Sequence, residues 1–277
     1  MTTFAGFAAR KAAEARAARL DPFTTEVERP DPRVDAIGDD WSRRLFDGAW
    51  YQSRAGAADL PATNLVFVQS RDGNTGAKNP ASLGGGELDT HLIYEGLSRV
   101  AADAVLSGAE TVRDGKIVFS TWHPKLVALR ASLGLPRHPV QVIATLKGLS
   151  FDGLLFNVPE LSVILVTVGP CADLMVTAVA DRPWISIVQM PTAGHLVYAF
   201  RELRQRGIRR ISCIGGRTLA RQLIDAGLVQ DLYLTTSAKE GGEPDTPLYP
   251  KPLEGTTIVR KHGTGADSGV LFEHVRL

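Results

Sequence analysis

Short apolar runs alternate with amphipathic stretches over most of this chain. Leu65-Val-Phe-Val68 is an uninterrupted apolar run and predicts a buried strand. From Glu87 to Ala101, Leu88, His91, Leu92, Leu97 and Val100 fall on or near one helical face. The same alternation then repeats. Strands are predicted at Asp103–Leu106, Gln141–Thr145, Leu161–Val168, Trp184–Val188 and Arg209–Ile214. Helices are predicted at Trp122–Leu133, Pro170–Ala180 and Gly194–Arg206. Continuous apolar strands separated by helices imply a mostly parallel sheet covered on both faces. Leu228–Thr235, Gly255–Lys261 and Gly269–Arg276 have no long helix between them, so these last strands are expected to be antiparallel. The first 60 residues read as a helical extension. It holds an Ala- and Arg-rich helix over Met1–Leu20, an acidic linker from Glu26 to Asp40, and a second helix near Trp41–Ser53. In that second helix Trp41, Leu45, Phe46 and Trp50 recur near helical spacing.

Composition narrows the function classes. The chain has 277 residues, 44% hydrophobic and 22% charged, with a formal net charge of +1, so no overall field draws it to nucleic acid or anionic lipid. Arg201, Arg204, Arg206, Arg209 and Arg210 form a local basic patch without the interleaved aromatics of a nucleic-acid surface. No apolar run reaches the roughly 18 residues that span a bilayer. With Cys171 and Cys213 as its two cysteines the chain has no disulfide framework, and a cytoplasmic location is expected. None of the six histidines stands in metal-ligand spacing, so no metal site is expected.

Three loops carry candidate chemistry, and each follows a predicted strand. In open α/β sheets ligands bind beyond the carboxyl ends of strands, so such loops can share one cleft. Ser70-Arg71-Asp72-Gly73-Asn74 places a hydroxyl and a carboxylate past a buried strand, and is equally good turn chemistry. Ser107-Gly108-Ala109-Glu110-Thr111-Val112-Arg113 offers bare amides, a hydroxyl and a guanidinium suited to phosphate oxygens, and it reads equally well as a helix cap. Gly215-Gly216-Arg217-Thr218 opens a helix directly after a strand. The glycines permit close backbone approach, and the free N–H groups and positive dipole end of the helix favour an anion. Gly84-Gly85-Gly86 lacks the Lys-Ser/Thr of a phosphate-binding loop.

Together these motifs, in this order and with Ala226-Gly-Leu-Val-Gln-Asp231 behind the third, resemble the pyrimidine reductase domain of riboflavin biosynthesis. The likeness covers roughly residues 62 to 277. It implies a dihydrofolate reductase-like α/β fold: a mostly parallel central sheet, antiparallel C-terminal strands and helices on both faces. It implies NADPH as cofactor and reduction of the ribosyl part of a phosphorylated aminopyrimidine, 5-amino-6-(5-phosphoribosylamino)uracil, to a ribityl chain. By the same resemblance Ser107, Gly108, Ala109, Thr111, Arg113, Gly215, Gly216, Arg217 and Thr218 bind the cofactor, with Arg113 or Arg217 on its 2′-phosphate. Ser70 and Asp72 lie beside the nicotinamide and substrate. Asp72 either orients the substrate or, if burial raises its pKa, delivers a proton. Asn64, Asn74 and Glu240 are assigned to the substrate pocket, with Lys78 as a further candidate, and the triple glycine lies near the substrate.

Some features depart from that pattern. The zinc deaminase that accompanies this domain in bifunctional relatives has no counterpart, because its H-x-E and P-C-x-x-C ligands are missing. The Lys116–His138 and Thr236–Pro247 stretches are longer than simple connections, and are expected to flank the cleft. They leave open reduction of another substrate, such as a pterin, or cofactor binding without turnover. A homodimer is expected, both from the resemblance and because the C-terminal ribbon would otherwise leave an exposed edge.

Overall fold

The computed structural model of the protein describes residues 3–29, 31–54, 59–77, 79–113 and 115–277; Lys78 lies outside the described residues. In chain order the strands are β1 (Thr24–Glu28), β2 (Val34–Ile37), β3 (Trp50–Ser53), β4 (Ala62–Gln69), β5 (Ala104–Gly108), β6 (Val140–Ala144), β7 (Val163–Val168), β8 (Ile185–Met190), β9 (Arg210–Cys213), β10 (Asp231–Thr236), β11 (Thr256–His262) and β12 (Leu271–Arg276). The helices are α1 (Phe4–Ala17), α2 (Asp40–Phe46), α3 (Ser98–Val100), α4 (Ala109–Val112), α5 (Pro124–Ser132), α6 (Gly169–Val179), α7 (Leu196–Gln205) and α8 (Arg217–Asp225). A π-helix, Leu88–Leu97, runs directly into α3.

Ten of these strands form one sheet in the order β1-β11-β12-β10-β4-β9-β5-β6-β7-β8. Alternate side chains of each central strand enter two separate cores, as strand geometry requires. Val66, Val105, Leu165 and Tyr233 face one core, where α1, α2, α5, α6 and the π-helix pack. Leu65, Leu106, Ile164 and Leu232 face the other, which α7 and α8 cover. The architecture is the dihydrofolate reductase-like one, with helices on both faces.

Strand direction differs from expectation at one point. β10 is parallel to β4, with Leu232 opposite Leu65, and antiparallel to β12 alone. The short helix α8 is long enough to carry the chain from β9 across β4, so β10 closes the parallel half of the sheet instead of opening the antiparallel ribbon.

The N-terminal region differs more. The second helix stops at Phe46 because Asp47 (φ 54°) and Gly48 (φ 133°) turn the chain, and Trp50 lies in β3. The stretch read as a linker contains β2, which pairs with β3, and begins with the end of β1, which pairs with β11. β1 therefore covers the edge that the C-terminal ribbon would have left open. Phe7 meets Trp122 edge-on, and Phe23 meets Phe46; all four rings are buried. Trp122 thus serves the docking of α1. Phe119 in the same stretch donates its N–H to Gln141 Oε1 near the start of β6, 2.8 Å away. Lys116–His138 therefore packs in part at the end of the sheet remote from the candidate loops, a correction to its expected place beside the cleft.

Candidate functional site

Parallel pairing brings the carboxyl ends of β4, β5, β9 and β10 to one end of the sheet. Leu106 of β5 lies opposite Cys213 of β9, and the next residues stay joined beyond the strands. Ile214 donates its N–H to the Leu106 carbonyl at 3.0 Å, and Gly108 donates to the Gly215 carbonyl at 3.4 Å. The second and third loops therefore leave the sheet side by side.

Their backbone is bare on the outer side. Gly215 (φ 146°) and Gly216 (φ 82°) hold conformations that L side chains rarely adopt. A Cβ built on Gly108 or Gly215 would meet nothing within 4 Å. Gly216 is the N-cap of α8 and Gly108 the N-cap of α4, and neither helix start receives a side-chain cap. Their first-turn amides are left for an outside acceptor, with the helix dipole favouring an anion. Thr111 is half-buried in α4, Ala109 opens that helix, and Thr218 is exposed in the first turn of α8. Ser107 is buried, and its hydroxyl makes a long bond to the Gly108 carbonyl. The two candidate guanidiniums differ. Arg113 is exposed and held 2.6 Å from Glu110 of its own helix, whereas Arg217 is 3.6 Å from Glu243 of the loop after β10. The thiol of Cys213, just before this turn, is pushed up to about 12 by burial, and is inert at neutral pH.

The first loop is locked to the loop after β10. Ser70 is fully buried and donates its hydroxyl proton to the Gly241 carbonyl at 2.8 Å. Asn74 donates its Nδ2 to Asp72 at 2.8 Å, and accepts the Thr246 N–H at 3.1 Å. Gly241 donates its N–H to Asp72 at 3.2 Å, and Arg71 pairs with Glu240. Asp72 is exposed, and the Ser70 hydroxyl, the Gly241 amide and the Asn74 amide hold its carboxyl below the ordinary range. The burial that proton donation by Asp72 required is not present. Through Glu243 and Arg217 this double loop reaches the start of α8, so Ser70, Asp72, Asn74, Glu240, Gly108 and Gly215 line one end of the sheet.

Asn64 does not join them. It stands at the other end of β4, six residues and thus about 20 Å from Ser70. There it packs among Gln52, Ser53, Ala62, Thr63, Arg210 and Asp231. Burial alone would push Asp231 up, but its hydrogen bonds with His274 and Ser53 outweigh that and hold it charged. Asn64 is removed from the candidate site, because it precedes its apolar run and so lies toward the amino end of β4, whereas the candidate loops leave the carboxyl ends.

One group near the site was not singled out from sequence. Asp89, in the first turn of the π-helix, is buried, and its carboxyl is pushed up to about 6 by burial, with the Asp267 carboxylate adding to the effect and Thr235 opposing it. Thr235 is the penultimate residue of β10, at the loop end of the sheet. The signal lay in Gly85, whose missing side chain leaves room for Asp89: a Cβ there would sit 2.9 Å from Oδ2. Among the described residues no group of three or more His, Cys, Asp or Glu could hold a metal ion, and no helix is long and apolar enough to cross a membrane.

Comparison with known proteins agrees with this architecture. A family profile described as the RibD C-terminal domain matches residues 61–262. A pyrimidine reductase-like protein from Corynebacterium diphtheriae superimposes with a TM-score of 0.58 at 22% identity, covering 78% of this chain and 91% of that one. RibD from Acinetobacter baumannii gives 0.58 at 17% identity, over 79% of this chain and 58% of that one. The riboflavin biosynthesis reductase Rib7 from Saccharomyces cerevisiae gives 0.52 at 17% identity, over 82% and 93%. No curated protein matches. The profile spans well over half of the chain, so the chain belongs to the RibD C-terminal domain family, the reductase family of riboflavin biosynthesis.

Proposed function

We propose that this chain is an NADPH-dependent reductase that converts the ribosyl group of 5-amino-6-(5-phosphoribosylamino)uracil to a ribityl chain. The observation that carries the reading is the pair of uncapped, glycine-led helix starts, Gly108–Ala109 and Gly216–Arg217, joined by the Gly108–Gly215 hydrogen bond. Two adjacent sets of free amides suit a pyrophosphate. The lack of any atom near a Cβ built on Gly108 or Gly215 leaves the groove open for it.

In this reading Ser107, Gly108, Ala109, Thr111, Gly215, Gly216 and Thr218 hold the cofactor's phosphates. Arg217 faces the 2′-phosphate by exchanging its longer contact to Glu243, while Arg113 is engaged by Glu110. NADPH supplies a hydride when bound, and the chain supplies position and charge. Asp72, held charged, accepts donors of the substrate, and Ser70 fixes the loop that carries it. Asn74 and Glu240 line the same mouth. The protein acts on a small molecule, in the cytoplasm and as a homodimer, without nucleic acid or membrane. Residues 1–60 are an N-terminal extension of a reductase domain that spans residues 61–277.

Loss of NADPH absorbance on adding the phosphorylated aminopyrimidine tests the proposal. Turnover with that substrate supports it. NADPH binding, seen by cofactor fluorescence, without turnover on this or any pterin substrate would reduce the protein to a nucleotide binder. Absence of NADPH binding would overturn the reading.

A further inference from the structure

Three consecutive glycines, Gly84-Gly85-Gly86, lead into the π-helix beside the candidate substrate loops. Without side chains such a segment cannot fix its own path, and its neighbours set its position. On one side lies the loop after β10. A Cβ built on Gly84 would sit 2.7 Å from Ser237 Oγ and 3.0 Å from Lys239 Cδ, and one on Gly242 would sit 2.9 Å from Leu83 Cδ2. The glycines therefore form a wall against the double loop that carries Ser70, Asp72 and Asn74. On the other side lies the turn Gly265–Asp267, between β11 and β12. A Cβ on Gly86 would collide with Asp267 Oδ1, and the Asp267 carboxyl faces the N–H of Leu88, the first residue of the π-helix.

The stretch between α1 and β1 holds both of these supports. Arg19 donates its N–H to Glu87 Oε2 at 2.6 Å, one residue before the π-helix. Asp21 Oδ2 accepts the Ala266 N–H at 3.0 Å, and Thr264 donates its hydroxyl proton to the Pro22 carbonyl. A Cβ on Gly265 would collide with Asp21 Oδ2, so the turn closes tightly onto this carboxylate. The stretch is itself tied down at both ends, by Phe7 of α1 against Trp122 and by the pairing of β1 with β11. Among the described residues none of these bonds goes to Ser107–Arg113 or Gly215–Thr218.

We propose that Arg19–Pro22 is a strap that fixes the triple-glycine wall of the substrate pocket, with Asp21 as its positioning residue. Affinity for the aminopyrimidine then depends on the N-terminal extension, while affinity for the cofactor does not. The inference rests on the proposed reductase function, because that function supplies the substrate. A wall held in place before the substrate arrives removes its ordering cost from binding. Loosening the strap returns that cost, which raises KM and leaves kcat in place.

The test uses the full chain with Asp21→Ala, Asp21→Asn and, as a control in the same extension, Lys11→Ala, which removes the 2.8 Å contact of α1 to Glu95. At saturating NADPH, Asp21→Ala is expected to raise KM for 5-amino-6-(5-phosphoribosylamino)uracil fivefold or more, with kcat within twofold. Asp21→Asn keeps an oxygen for the Ala266 N–H and is expected to stay within twofold of the wild type, as is Lys11→Ala. NADPH affinity by cofactor fluorescence is expected to be equal in all four proteins. Hydrogen exchange reads the strap without substrate: Asp21→Ala is expected to speed exchange of the amides of residues 84–88. Unchanged exchange there, an unchanged KM, a joint loss of kcat and NADPH affinity, or the same KM rise in Asp21→Asn or Lys11→Ala overturns the inference. Faster exchange in a protein whose wild type reduces no aminopyrimidine would overturn the reductase reading and leave the strap standing.

Discussion

At the scale of single residues, the buried Asp89 makes a prediction about stability. A carboxyl pushed from 3.8 to about 6 is protonated more readily in the folded than in the unfolded chain. Its stabilising proton is therefore fully present below about pH 4 and lost as pH rises through 6, leaving a charged, desolvated group at neutral pH. Asp89→Asn is expected to stabilise the protein at pH 7.5 by about 1–3 kcal/mol, on the order of 1.4 kcal/mol per pKa unit less the cost of burying an amide. The gain should vanish near pH 4. Thermal melts at the two pH values check this, and an equal effect at both would show that charge is not the cause. Sequence reading reached Ser70, Asp72 and Gly215 because each follows an apolar run and belongs to a turn. It missed Asp89, whose signal is the small residue at Gly85 that leaves room for the carboxyl, and it misplaced Asn64, which precedes its apolar run and so lies toward the amino end of β4.

At the scale of elements, glycine positions separate structural from ligand-facing roles. Gly216 and Gly207 both have positive φ, 82° and 87°, and a Cβ on either meets no tight contact. Alanine at either site should cost about 1 kcal/mol of backbone strain. Gly216→Ala alone is expected to weaken NADPH binding, by tenfold or more, because it opens α8 where the phosphates are proposed to sit. Equal NADPH affinities in the two variants would remove α8 from the cofactor site. The π-helix gives a second contrast. An ordinary helix over Glu87–Ala101 would gain up to about 1 kcal/mol from Gly96→Ala. Here Gly96 has φ −120° and ψ −108°, and a new Cβ would lie 2.6 Å from Leu126 Cδ1 and 2.7 Å from the His91 carbonyl oxygen. The substitution is expected to destabilise by about 1–3 kcal/mol in denaturant titration, as overpacking does. The apolar spacing made this helix visible, but periodicity does not record its wide turns or the non-helical dihedrals at Gly96.

At the scale of the whole molecule, the sheet was legible where helices intervene between strands and obscure where they do not. Apolar runs joined by amphipathic segments allow few arrangements, so β4 to β9 followed from pattern alone. β1 did not, because Thr24-Thr-Glu-Val-Glu28 is half exposed on both sides and its partner lies more than 200 residues away in sequence, in β11. That pairing changes the argument for self-association. The edge expected to drive dimer formation is occupied: Thr24 lies opposite His262, and Lys261 donates its ammonium to Thr25 Oγ1 at 2.6 Å and to the Asp47 carbonyl at 2.9 Å. The outer side of β1 carries exposed Thr24, Glu26 and Glu28, and charged edges of this kind resist further strand addition. A homodimer must then use another surface, and residues 1–28 act against pairing through β11. Removing residues 1–28 also strips Phe7 and Phe23 from the core, at about 1.5–3 kcal/mol each. The shortened chain is expected to melt at a lower temperature and to form larger, concentration-dependent assemblies by light scattering, while the full chain keeps a single mass. An unchanged mass and melting temperature on truncation would show that β1 neither guards the edge nor contributes to the core.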